Sequence, residues 1–259
     1  MSPKAKTKPS GEKRFLHIVS VGTSILVNRG WKNGDPLPAK DELLAWLEES
    51  PRERSAELNG LLWFAEKGQR TTVHLVATDT PGCRLCRDVL SDFLADKRIE
   101  TTGTGAEAQD LLPASFEEAR DHAGFEAAVR GFREKVFRVA ERAKKRGDVV
   151  MINATAGLKA EVAVAALVAA ELSVSAYYVH QTMTEPVFLP TAAADAKTLD
   201  LLRRLSEGHA RSRLQRVPED ELFRLEREGL VALSRKQDGE IGNARLTQYG
   251  KHILERHPK

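Results

Sequence analysis

The stretch FLHIVSVGTSILVN, Phe15 to Asn28, decides the fold. Its first seven residues, Phe15-Leu16-His17-Ile18-Val19-Ser20-Val21, form a nearly continuous apolar run of strand length. A strand with one wet face alternates apolar and polar positions, whereas a run of this kind is buried on both faces, as in a parallel sheet covered by helices. The run stops at Gly22-Thr23-Ser24, a turn of small residues. Backbone N–H groups exposed in such a turn, with two hydroxyls beside them, can hold an anion without a full positive charge.

Outward from this strand the pattern alternates between strands and helices. One helix is expected from about Asp41. A second follows Ser50 as N-cap, with Pro51 at the first helical position and Glu53 completing a capping box. TTVHLVAT, Thr71 to Thr78, is the next strand, and Thr80-Pro81 opens another helix by the same logic. Arg98 to Thr102 is a weaker strand. A capping box at Ser115 to Glu118 leads into a long helix that closes on Lys144-Lys145-Arg146-Gly147, cations at the carbonyl end and a glycine stop. Val149 to Asn153 and Ser175 to His180 are strands flanking an alanine-rich helix from Leu158 to Leu172, and Val187 to Leu189 is an edge strand. The fold class expected is therefore α/β, a Rossmann-like, mostly parallel open sheet whose ligands gather at the carboxyl ends of its strands.

Beyond Asp195 the pattern changes. A helix from Lys197 to Ser206, a helix opened by Pro218, a hairpin of Leu230 to Leu233 and Ala244 to Leu246, and a closing helix after Thr247 predict a small winged helix-turn-helix domain. Three segments result: a disordered basic tail (1–13), a sheet domain (14–192) and the winged helix (196–259). Composition agrees with a globular chain. Of 259 residues 41% are hydrophobic and 30% charged, and no apolar run approaches the roughly 20 residues that span a bilayer. A soluble cytoplasmic protein without membrane contact is expected. The net charge of +3 divides into +4 for residues 1–14, −5 for 15–196 and +4 for 197–259, so the large middle segment is acidic.

A second loop matches the first in kind. Asn153-Ala154-Thr155-Ala156-Gly157-Leu158-Lys159 joins a buried strand to a helix, bringing Asn, Thr and Lys side chains and free helical N–H groups to one place. Neither loop is a G-x-x-x-x-G-K-[ST] phosphate loop or a G-x-G-x-x-G dinucleotide loop, which sets ATP and NAD aside. Thr78-Asp79-Thr80 ends its strand on the same side, and can contact a base edge or ribose or simply cap the helix. Cys83-x-x-Cys86 has no further cysteine to complete a zinc site and is read as structural. His17 and His74 are core histidines, while His180, at a strand's carboxyl end, can face a ligand or simply end the strand. No H-E-x-x-H and no aspartate cluster occurs, so neither a metal nor a cofactor is expected.

The pair VGTSILVN (21–28) and NATAGLKAE (153–161) resembles the two signature loops of the CRISPR-associated Rossmann fold (CARF) family. The resemblance covers about residues 15–190. Ala156 stands where the family commonly has a glycine, and Leu158 where it has an aromatic residue. The resemblance implies binding of a cyclic oligoadenylate messenger across the two-fold axis of a homodimer. Gly22, Thr23, Asn28, Thr78, Asp79, Thr80, Asn153, Thr155, Ala156, Gly157 and Leu158 become candidate ligand contacts.

Many relatives carry a ribonuclease domain with an Arg-x(4–6)-His motif. Arg204 to His209 and Arg245 to His252 have such spacings, but in a segment of about 60 residues patterned as a winged helix both are taken as chance. A CARF domain with only a winged helix is similar to stand-alone ring nucleases, in which a ribose 2′-hydroxyl attacks the adjacent phosphodiester without metal. In that reading Ser24 and Lys159 are the catalytic residues and cyclic tetra-adenylate is the substrate. The alternative is a messenger-responsive transcription regulator without cleavage. Against it, Pro218 to Glu228 carries five acids and two arginines, a net −3 that repels DNA phosphates. Arg211, Arg213, Arg216, Arg235 and Lys236 keep DNA binding possible but disfavoured. The winged helix then serves as a dimerisation or lid element.

Overall fold

The computed structural model describes residues 14–103, 111–112, 116, 119, 121–157, 159–180, 183, 185–189, 195–207, 217–236 and 239–257. The basic tail, most of the Ser115 to Glu118 capping box, Leu158, His209 and the Arg211, Arg213 and Arg216 cluster lie outside them, as does the side chain of His252.

Strand β1 (Phe15–Val21) is central. It pairs in parallel with β2 (Thr71–Thr78) on one side and with β5 (Val149–Asn153) on the other. Outside β2 lie β3 (Glu100–Thr102) and, along its end, β4 (Leu111–Leu112), both parallel. Outside β5 lies β6 (Ser175–Tyr178), parallel, and then β7 (Val187–Phe188), antiparallel at the edge. The sheet order is β3-β2-β1-β5-β6-β7, a doubly wound arrangement whose direction of winding reverses between β1 and β5.

Helices cover both faces, which is why β1 and β2 carry almost no polar alternation. Leu16 and Ile18 point into a core shared with α6 (His122–Lys145) and α7 (Lys159–Leu172), whose Phe132, Val136, Val168 and Ala169 are buried. Val19 and Val21 point the other way, toward α1 (Ser24–Asn28), α2 (Lys40–Glu49), α4 (Ala56–Glu66) and α5 (Pro81–Asp96). Small side chains set the close layers. Ala165 and Ala169 of α7 are buried against the sheet, and a Cβ on Gly60 of α4 would lie 2.6 Å from Val179 Cγ2.

Two local features that the sequence did not indicate have identifiable causes. The long helix begins at His122 because Asp121 caps it, accepting from Gly124 N at 2.7 Å. Its end is as expected, with Gly147 at φ +85°. The helical stretch after Ser50 is broken: α3 (Pro51–Arg54) stops at Ser55, which is extended and accepts from Leu58 N at 3.2 Å to start α4. A cap hydroxyl competes with the helix for the backbone N–H, so a serine inside a helical pattern restarts it.

The C-terminal elements have their own core. α8 (Ala196–Ser206), α9 (Glu219–Arg227), the antiparallel pair β8 (Val231–Arg235) and β9 (Ile241–Leu246), and α10 (Gln248–Arg256) bury Leu201, Leu202, Leu205, Leu222, Leu225, Leu230 and Ala244 together. Asp195 caps α8 by accepting from Thr198 N at 2.6 Å, and this hydrogen bond holds its carboxyl below the usual range. Thr247 caps α10 and donates to Gly229 O at 2.7 Å. Among the described residues no helix is long and apolar enough to cross a membrane.

Candidate functional site

The winding reversal puts the carboxyl ends of β1 and β5 side by side, since Val19 is in register with Asn153 and the chains then diverge to opposite faces. Both loops singled out in the sequence therefore flank one crevice. Gly22, Thr23, Ser24, Asn28, Thr78 and Gly157 line a cavity of about 280 Å³ there. Ser24, Asn28 and Thr155 also line an adjoining cavity of about 440 Å³ that is bordered by Arg52, Asn59 and His180.

The remaining candidates are placed differently. Asn153 is buried and works on the backbone: Nδ2 donates to Glu57 O at 3.0 Å and Oδ1 accepts from Thr155 N at 3.0 Å. It ties the second loop to α4 and shapes the turn. Thr155 Oγ1 accepts from Val179 N at 3.1 Å, fixing the same loop to the end of β6. Ala156 is buried, and Leu158 is outside the described residues. Lys159, the first residue of α7, is exposed and is not among the residues lining either cavity. Asp79 is ion-paired with Arg84, and Thr80 caps α5 by accepting from Cys83 N at 3.3 Å. Asn28 Nδ2 donates to Arg54 O at 3.2 Å.

Sequence reasoning missed two carboxylates. Glu57, in the first turn of α4 and only 1% exposed, reaches across to the β1 loop. Its Oε1 accepts from Gly22 N at 3.1 Å, and its Oε2 accepts from Ser24 Oγ at 2.5 Å and from Ser55 Oγ at 2.8 Å. The backbone donor assigned to an anion is thus already engaged by a side chain of the chain itself. Glu161, in the first turn of α7, lines the smaller cavity beside Gly157. Gly157 has φ +100°, a left-handed backbone that requires glycine, and a Cβ there would also meet Glu161 Oε2 at 2.2 Å unless that side chain moved. The signal for Glu57 was Ser55-x-Glu57: once Ser55 is read as a cap, Glu57 falls in the first helical turn.

The cavity chemistry follows from this lining. Val21, Val27, Cys83 and Phe116 supply apolar wall, and Glu57 and Glu161 supply acceptors. Such a lining suits neutral donor-bearing groups and repels phosphate oxygens, which must be met at the rim by cations. Cys86, in α5, is buried and outside any disulfide, and burial pushes its thiol well above the usual range. Among the described residues no three His, Cys, Asp or Glu side chains converge as metal ligands. His17 and His74 lie in strands β1 and β2 and are buried.

A protein-family model described as CRISPR-associated protein (Cas_APE2256) matches residues 52–192. No curated protein matches the chain. Among solved structures, protein VC1899 from Vibrio cholerae is similar at 12% identity and a TM-score of 0.40 over 93% of this chain and 64% of that one. A type III CRISPR defence DNA nuclease activated by cyclic oligoadenylate is similar at 16% identity and a TM-score of 0.34, over 96% of this chain and 40% of that one. The chain therefore spans less than two thirds of either protein.

Proposed function

Because the chain belongs to the Cas_APE2256 family of CRISPR-associated proteins, of CARF type, we propose that it is a ring nuclease acting on cyclic oligoadenylate, cyclic tetra-adenylate foremost. The observation that carries the reading is the position of Ser24. It lines both cavities, as Asn28 does, with Gly157 of the β5 loop across one and Thr155 across the other. In the reaction a ribose 2′-oxygen forms a bond to the neighbouring phosphorus and the P–O5′ bond breaks. The 2′-proton is released and the 5′-oxygen gains one, leaving a 2′,3′-cyclic phosphate and a 5′-hydroxyl. Holding the hydroxyl in line supplies much of the acceleration, and a cation at the developing phosphorane supplies more. Ser24 orients the ribose. Lys159, exposed at the start of α7, is assigned the role of the cation that reaches toward a phosphate.

In this proposal residues 14–192 form the messenger-binding domain of a homodimer in the cytoplasm, and residues 196–259 form a winged helix acting as lid or dimerisation element. Charge within α9 favours a lid over a reader of DNA. Arg224 is held by Glu221 at 2.6 Å and Glu228 at 2.9 Å, and Arg235 faces Glu226 at 3.5 Å. Cations engaged in this way release no counterions from DNA. The test is incubation with radiolabelled cyclic tetra- and hexa-adenylate in EDTA. Linear products with cyclic phosphate ends support the enzyme. Tight binding without cleavage supports the regulator, to be followed with promoter DNA, and no binding of either ring ends the assignment.

A further inference from the structure

Three donors converge on Glu57: the Gly22 amide, the Ser24 hydroxyl and the Ser55 hydroxyl. A serine has one proton to give and two lone pairs to offer. At 2.5 Å the Ser24 proton is given to Glu57, and the carboxylate is buried where water does not compete for it. What Ser24 shows to the cavities it lines is therefore lone pairs. We propose that Glu57 is a positioning residue that fixes Ser24 as a hydrogen-bond acceptor, so that Ser24 takes its bond from a ribose 2′-hydroxyl and not from a phosphate. The proposal rests on the cyclic-oligoadenylate reading and adds to it the polarity of the contact.

A phosphate oxygen is an acceptor only. Approaching Ser24, it would meet lone pairs with a carboxylate directly behind them. A ribose hydroxyl instead donates, and a chain of hydroxyl to hydroxyl to carboxylate polarises each bond in the same direction. The 2′-oxygen is thereby held with its proton turned away from the phosphorus and its lone pairs available for attack. Ser55 takes part in the same set: its oxygen accepts from Leu58 N while its proton goes to Glu57, so the residue that starts α4 also orients the carboxylate.

Glu57→Gln reverses this polarity with little change of shape. The amide oxygen can keep the Gly22 N–H, and the amide nitrogen then donates to the two serines, turning the Ser24 proton toward the cavity. The assay is competition binding of cyclic tetra-adenylate against an analogue with fluorine at every 2′ position, measured in the cold before turnover. Fluorine can accept weakly but cannot donate. The wild-type protein is expected to prefer the hydroxyl ligand by about tenfold or more, one hydrogen bond's worth. E57Q is expected to lose or reverse that preference, with kcat falling further than KM rises. An E57Q protein that keeps the wild-type preference overturns the proposal. Should E57Q fail to fold by circular dichroism, Ser24→Ala decides: it must erase the preference, and its retention overturns the proposal equally. Binding of both ligands to the wild-type protein without discrimination defeats this inference alone, whereas binding of neither defeats the reading beneath it.

Discussion

Acidification should destabilise this protein through His17, a residue remote from solvent in the central strand. The imidazole is fully buried between the rings of Phe64 and Tyr177, with centroids at 4.9 and 5.6 Å, and Nδ1 lies 3.1 Å from the Tyr177 hydroxyl. Burial disfavours the imidazolium and lowers the pKa from 6.5 to about 3. In the folded state the group thus binds its proton less readily than in the unfolded chain. The stability it contributes is complete above pH 6.5 and is lost as pH falls from there toward about 3. One pKa unit corresponds to about 1.4 kcal/mol, so the step from pH 7 to pH 5 removes about 2 kcal/mol. The comparison protein is the double variant His17→Leu with Tyr177→Phe, which removes both polar partners and leaves neither orphaned. Urea unfolding of both proteins at half-unit pH intervals reads the difference, because all other titrating groups are common to the two. Parallel stability-against-pH curves would refute the argument, and so would a wild-type protein that gained stability on acidification.

Other outcomes follow from the site. Lys159→Ala should abolish cleavage of cyclic tetra-adenylate and Ser24→Ala should slow it strongly, with both variants melting within a few degrees of the wild type; product analysis on denaturing gels checks this. Gly157→Ala forces a side chain into left-handed backbone and against Glu161, a strain of about 1–3 kcal/mol confined to the β5 loop. Its ligand affinity should drop by about tenfold or more in titration calorimetry, and unchanged affinity would show that this loop takes no part in binding.

Residue by residue, the strands were the legible part. β1, β2 and β5 have the bounds their apolar runs indicate, because a strand buried on both faces has no polar position at which to end early. Helix starts were less so. Asp121 caps the long helix without having been singled out, and Ser55 divided a helix that Ser50 was expected to open alone. Each of these positions offers the same kind of side-chain oxygen to the backbone, and which one is used depends on where the helix must begin to reach the sheet. The C-terminal order of two helices, a hairpin and a helix was legible from turn residues and apolar spacing.

The sequence alone determined that two small-residue loops follow buried strands and that the charge of the chain is divided between its segments. Both are properties of neighbouring residues. Only the tertiary structure decided that these loops share one crevice, because that depends on β1 and β5 being adjacent, with paired residues 134 positions apart in the chain. It alone also brought in Glu57, which lies 33 residues from Ser24 and carries no motif. A carboxylate's role is set by the donors that surround it in space, and here they come from the β1 loop and from the cap of α4.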